Sequence, residues 1–211
     1  MKYLLLTILL LPFSAHAEKL IVKLKPSTQK LLKSVKKTKK IYGDFFIVDA
    51  KLEDVKKDPN VVYVEKNIQF HKMGFKEKGD TNATANAWGV ARIAAQKRWD
   101  QGFKGDGIRI AVIDTGVDGS HPELQGKVAA GYNAIDGSQN TFDDEGHGTH
   151  VSGTIAGNST GVAPNATIIP VKFLDAQGNG TLENAIAAIS WATNANVQIM
   201  SNSWGGDETS Q

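Results

Sequence analysis

The chain has 211 residues, no cysteine, and 24 Lys+Arg against 22 Asp+Glu, a length that suits one or two domains. Its small net charge of +2 hides an asymmetry: residues 18–80 carry 16 basic against 9 acidic side chains, and residues 81–211 carry 7 against 13; halves of opposite sign are expected to attract and to dock in a preferred orientation, while residue by residue the lysines read equally well as a solvated helix face. The Lys-rich half has neither an interleaved aromatic platform nor a nucleic-acid-binding motif, which argues against a nucleic-acid partner, and a chain able to bury a large core needs no disulfide outside the cytoplasm.

Met1-Lys2-Tyr3, the apolar run Leu4 to Phe13, and Ala15-His16-Ala17 have the three parts of a secretory signal peptide, with cleavage expected after Ala17. The apolar core is too short to cross a bilayer, which takes about 20 residues. Once the signal is removed no membrane segment is expected, and the mature protein belongs outside the cytoplasm, secreted or periplasmic. Residues 19–24 have a strand's composition, ended by Pro26. Ser27 or Thr28 then caps a basic helix running to about Lys40 on Leu31, Leu32 and Val35. A strand over 42–48, a short helix over 52–57 stopped by Asp58-Pro59-Asn60, and a strand over 61–65 complete a first region of residues 18–70. So small a region is marginal by itself. Residues 71–86 are polar and without clear periodicity and read as a linker.

From residue 87 the pattern changes. A short segment and helix occupy Trp88 to Trp99, and Ile108 to Asp114 is an apolar run ending in a carboxylate. A strand buried on both faces of a parallel sheet reads this way, and ligands sit beyond its carboxyl end, so Asp114 stands where an active-site carboxylate would. A strand over 127–132 and a polar loop over 134–141 lead to Asp143-Asp144-Glu145-Gly146-His147-Gly148-Thr149-His150 and a helix of small and β-branched residues. The glycines flanking His147 let a partner or substrate approach the imidazole. Strands over 167–173 and 197–203 enclose a helix over 182–193, and strands alternating with helices of this length predict right-handed parallel crossovers.

Four blocks carry a resemblance: Val112-Ile113-Asp114-Thr115-Gly116-Val117-Asp118 with His121-Pro122-Glu123-Leu124; His147-Gly148-Thr149-His150-Val151-Ser152-Gly153-Thr154-Ile155-Ala156; Gly161-Val162-Ala163-Pro164-Asn165-Ala166; and Ser201-Asn202-Ser203-Trp204-Gly205-Gly206. Together and in this order they resemble the subtilisin-like serine proteases, peptidase family S8. The resemblance implies an α/β fold with a subtilisin-like parallel sheet and flanking helices, incomplete here, preceded by a small α+β, ferredoxin-like propeptide of the inhibitor I9 type over residues 18–70. Asp58 to Glu65 is that propeptide's most recognisable piece. It would dock on the catalytic part, residues 87–211, with a maturation cut within 71–86. The implied reaction is hydrolysis of a polypeptide substrate. In it Asp114 orients the imidazole and His147 is the general base, while Ser203, Trp204 and Gly205 contact the substrate as an added strand. His150 is expected to be a hydrogen-bonded core residue.

The family's serine lies in Gly-Thr-Ser-x-Ala and its oxyanion asparagine also lies late, and neither occurs before Gln211. The chain therefore reads as a zymogen fragment without its nucleophile, and losing that serine costs on the order of a million-fold in rate. Gly157-Asn158-Ser159-Thr160-Gly161 imitates a nucleophile motif but follows a helix instead of joining a strand to one. Histidines three apart without an intervening glutamate do not make the zinc-protease helix, so no cofactor is assigned. Calcium belongs to loops of the complete family members, although here the 157–160 loop is short and Glu123 stands in place of an aspartate ligand. A rival reading is non-catalytic, with residues 18–70 acting as an inhibitor or folding aid for another protease.

Overall fold

The computed structural model describes residues 17–26, 35, 38–74 and 88–206. The expected signal peptide, most of the expected basic helix and most of the expected linker lie outside them. The chain divides into two compact units, the first formed by the residues up to Lys66 apart from 41–43, the second by 41–43 and the residues from Asn67 onward.

Strands β1 (Glu18–Leu24), β2 (Thr38–Tyr42), β3 (Phe45–Ala50) and β4 (Val61–Lys66), with helix α1 (Leu52–Lys56), build a four-stranded sheet in the order β2-β3-β1-β4. β1 lies antiparallel to both β3 and β4. Leu20, Val22 and Leu24 alternate on one face of β1, as a pleated strand requires, and they form a core with Val48, Ala50 and Val55. One expectation is corrected here: residues 38–40, placed at the end of a helix, are strand. The turn through Gly43 folds them back beside β3, and pairing outweighs local helix preference.

The second unit continues with β5 (Gln69–Lys72), α2 (Trp88–Arg92), α3 (Gln96–Trp99), β6 (Arg109–Asp114), β7 (Tyr132–Asn133), α4 (His147–Ala156), β8 (Thr167–Lys172), β9 (Asn179–Thr181), α5 (Leu182–Asn194), β10 (Ile199–Asn202) and β11 (Trp204–Gly205). Its main sheet is parallel, in the order β10-β6-β8-β7. β6 is apolar from Ile110 to Ile113 because both its faces are covered there. Ala111 and Ile113 pack with Val171, Phe173 and the alanines of α5, whereas Ile110 and Val112 pack with Ile168, Leu124 and Ala156 of α4. The carboxyl end of β6 is thus held between two helices, and α4 starts beside it.

The strand expected over 127–132 is reduced to the two residues of β7 and a single bridge between Val128 and Ile168. On the β8 edge facing it, Ile168 N donates to Lys127 O at 2.8 Å, Ala129 N to Ile168 O at 2.9 Å and Ala134 N to Lys172 O at 2.7 Å. Between Ile168 and Lys172, two residues from each and so facing the same way, stands Pro170. It has no N–H to give, and the ladder lapses there.

The expected linker also begins as structure. β5 is the middle strand of a second, three-stranded sheet, β11-β5-β9, antiparallel to both neighbours.

Candidate active site

Asp114 closes β6 fully buried. Its Oδ1 accepts the Thr115 backbone N–H at 2.7 Å and lies 2.7 Å from His147 Nδ1. A carboxylate there can only accept, so Nδ1 carries a proton and the ring is held in one orientation. Oδ2 is buried with no hydrogen-bond partner among the described residues. Burial pushes the Asp114 carboxyl above its usual value, and the hydrogen bonds from His147 and Thr115 recover part of the shift.

His147 is the first residue of α4. Gly146 before it has φ +107°, which favours glycine. A Cβ on Gly148 would lie 2.1 Å from Gly116 O and 3.2 Å from Asp114 Cβ. Gly146 therefore serves the backbone turn, with open space at its Cβ position, and Gly148 serves the seating of the helix on the strand end. Gly148, Ser152 and Ala156, spaced by four, form the buried stripe of α4. His150 is exposed, where a core position was expected.

The acidic turn before His147 divides its work. Asp143 Oδ1 accepts Thr115 Oγ1, Glu145 N and Gly146 N at 2.8–3.1 Å, and Oδ2 accepts Thr149 N and Oγ1 at 2.8 and 2.6 Å. Burial raises its carboxyl, but the donors from Thr149, Gly146 and Thr115 outweigh burial and leave it below the ordinary value. Asp144 pairs with the buried Lys172 at 2.7 Å, whose ammonium also donates to the carbonyls of Thr115 and Leu174. Glu145 Oε2 accepts the His147 backbone N–H at 3.0 Å. Sequence reasoning named these three residues and gave them no role. The available signal was an aspartate two and three residues before backbone N–H groups at a helix start, an Asx turn.

The three residues expected to meet a substrate do meet an extended peptide, which is the chain's own segment 69–73. Ser203 O accepts the Met73 N–H at 2.8 Å, while Trp204 and Gly205 stand opposite Lys72 and His71. Trp204 Nε1 donates to Ile113 O at 3.0 Å, tying β11 to the strand that carries Asp114. Its ring meets Phe70 and Phe173 edge-on, with centroids 5.0 and 4.8 Å away. At Gly205 an added Cβ would meet the Met73 side chain, and it is Gly206 whose Cβ would meet main chain, Gln69 O at 2.9 Å. His147 Nε2 lies 2.7 Å from the Met73 carbonyl oxygen. Asp114, His147 and the peptide-pairing strand are therefore one site.

Ser159 is not part of it. Its Oγ donates to Glu123 Oε1 at 2.6 Å, and Glu123 Oε2 accepts the backbone N–H groups of Ser159 and Thr160 and the Thr160 hydroxyl at 2.8–3.2 Å. The Ser159 hydroxyl and N–H hold this carboxyl below its usual value. A calcium ion needs oxygen lone pairs, whereas here fixed N–H donors point at the carboxylate, so Glu123 and the 157–160 loop do not fit the ion. No cluster of three His, Asp or Glu suited to a metal occurs among the described residues.

The fold and this pairing of carboxylate, imidazole and peptide groove define a class, the subtilisin-like α/β proteins. Residues 105–211 match the model of the subtilase family, peptidase S8. The thermostable alkaline protease of Halalkalibacterium halodurans is 39% identical over 164 residues, covering 75% of this chain and 42% of that protein. Subtilisin E of Bacillus subtilis is 37% identical over 161 residues, covering 74% and 39%. Fervidolysin from Fervidobacterium pennivorans, a keratinolytic enzyme related to subtilisin, superimposes with a TM-score of 0.69 at 25% identity over 95% of this chain and 37% of that structure. The chain belongs to the subtilase family, and it spans about two fifths of the length of the curated relatives it matches.

Proposed function

We propose that the chain serves a secreted subtilisin-like serine endopeptidase precursor, with Asp114 as the orienting carboxylate and His147 as the general base. The observation that carries this reading is the 2.7 Å contact of Asp114 with His147 Nδ1, made where Nε2 faces the carbonyl of a strand-paired peptide. In such a triad Nε2 takes the proton of a serine hydroxyl as it adds to a peptide carbonyl and returns it to the leaving amine, while the carboxylate stabilises the imidazolium. Main-chain pairing with Ser203, Trp204 and Gly205 supplies sequence-independent affinity for an extended polypeptide.

The domain reading belongs to the same proposal: a signal peptide over 1–17, a propeptide over 18–70 that docks on the catalytic part, a linker over 71–86 holding the maturation cut, and a catalytic part over 87–211. Export is supported by the N-terminal pattern of the sequence, and no helix among the described residues is long and apolar enough to cross a membrane. The test is labelling of the full-length gene product with a serine-directed phosphonyl fluoride, together with hydrolysis of a polypeptide. Both are expected, and both are lost in His147→Ala. No labelling and no hydrolysis by the unaltered protein overturns the reading.

A further inference from the structure

The groove holding segment 69–73 treats one of its side chains specially. Lys72 sits immediately before Met73, the residue whose carbonyl faces His147 Nε2. Its ammonium pairs with Glu145 Oε1, and its stem lies along Gly178, where an added Cβ would fall 2.9 Å from Lys72 Cγ, 3.0 Å from Cδ and 3.3 Å from Cε. Gly178, at φ +76°, therefore forms the floor of a slot for a long aliphatic chain, and Glu145 closes its end. The Lys72 N–H donates to Gly178 O at 2.9 Å, fixing the residue that enters the slot.

Glu145 has an anchor besides the lysine: its other oxygen is held by the His147 backbone N–H at 3.0 Å. Asp143 is saturated by internal donors and Asp144 is engaged by Lys172. Of the three consecutive carboxylates, Glu145 is the one turned to the groove. A carboxylate anchored in this way discriminates by charge, since a like charge set against it is repelled.

We infer that Glu145 is a specificity-determining residue: together with the Gly178 floor it selects a lysine or arginine at the peptide position directly preceding the residue whose carbonyl meets His147. The segment Phe70-His71-Lys72-Met73 is the internal example. The inference rests on the groove reading proposed above and deepens it by naming a substrate class, polypeptides with a basic residue at that position.

The test needs no catalysis. A lysine-specific endoprotease cuts after Lys72 only when segment 69–73 leaves the groove, and exposed Lys57 serves as the internal reference site. The blocked peptides Phe-His-Arg-Met and Phe-His-Glu-Met, which lack lysine, are added to the full chain as competitors, and cleavage at both sites is followed by mass spectrometry. The Arg peptide is expected to speed cleavage at Lys72 relative to Lys57 at least ~10-fold more than the Glu peptide. The preference is expected to vanish in Glu145→Gln, which keeps the shape, and to invert in Glu145→Lys. Equal effects of the two peptides in the unaltered chain overturn the inference while leaving the catalytic reading to its own labelling test. Failure of both peptides at millimolar concentration overturns it as well, by removing the groove contacts on which it stands.

Discussion

The strand end at Asp114 and the turn at Asp143 each bury a carboxylate beside the start of α4, and the protein treats them in opposite ways. Asp143 has five donors on its two oxygens, and its carboxyl is held down despite burial. Asp114 has the Thr115 N–H and the His147 ring on one oxygen and nothing on the other among the described residues, and burial pushes its carboxyl up. The saturated group is a structural anchor. The under-satisfied group has its charge available to one partner, the imidazole. Thr115 couples the two, accepting the Gly148 N–H at 2.9 Å and donating to Asp143.

The largest effect is expected where saturation is lost. Asp143→Ala strands five donors of the turn and helix start, and should cost about 3 kcal/mol in urea unfolding, since each buried group left unpaired costs about 1–3 kcal/mol and the turn can relax toward water. Asp114→Asn should change stability at pH 7 by no more than about 1 kcal/mol, because it removes a buried charge and keeps the shape. Equal costs for the two variants would break the comparison.

Acid unfolding sharpens it, because the two shifts carry opposite signs. Asp143 is lowered from 3.8, so its stabilisation is present above that value and is lost as pH falls through its lower folded value. Asp114 is raised from 3.8, so its contribution is fully present below that value and is lost as pH rises through the higher folded value. Asp143→Asn should therefore flatten the acid limb of the stability curve. With Asp114→Asn, the unaltered protein should gain on the variant as pH falls. Thermal melts from pH 7 to pH 3 read both, and parallel curves would contradict the assignment.

What the sequence disclosed and what it concealed follow from the range of the interactions. β6 and α4 were legible because a doubly covered strand is apolar throughout and a helix seated on a strand end needs Gly148, Ser152 and Ala156 at fixed spacing. Asp114 was legible as the carboxylate closing an apolar strand and His147 as a glycine-flanked imidazole, their roles and the Ser203 to Gly205 segment came through the resemblance, and the structure brings all of them together. The shortening of β7 depended on which edge Pro170 faces, and β5 on partners 108 to 134 residues away in sequence, at Trp204, Gly205 and residues 179–181, so neither has a local signature. The division of labour among Asp143, Asp144 and Glu145 is likewise set by Thr115, Lys172 and Lys72, which arrive only through tertiary folding. Local preference misled at residues 38–40, where lysines read as helix but pairing made a strand.

Glu123 extends the comparison to the surface and gives the smallest effect. Like Asp143 it is a carboxylate surrounded by donors, but it is only half-buried, so water competes for each bond and replacing it should cost about 1 kcal/mol. Its carboxyl is lowered from 4.5, so the difference between the unaltered protein and Glu123→Gln should be full at pH 7 and close as pH falls through the folded value, where the glutamate takes up a proton. Because its oxygens are filled by N–H and O–H groups, calcium has no role in this stabilisation. Any shift in melting temperature on adding millimolar calcium should therefore be the same in the unaltered protein and in Glu123→Gln. A calcium shift confined to the unaltered protein would mean that the loop opens its donors to admit an ion, and saturation by donors would no longer distinguish an anchor from a site.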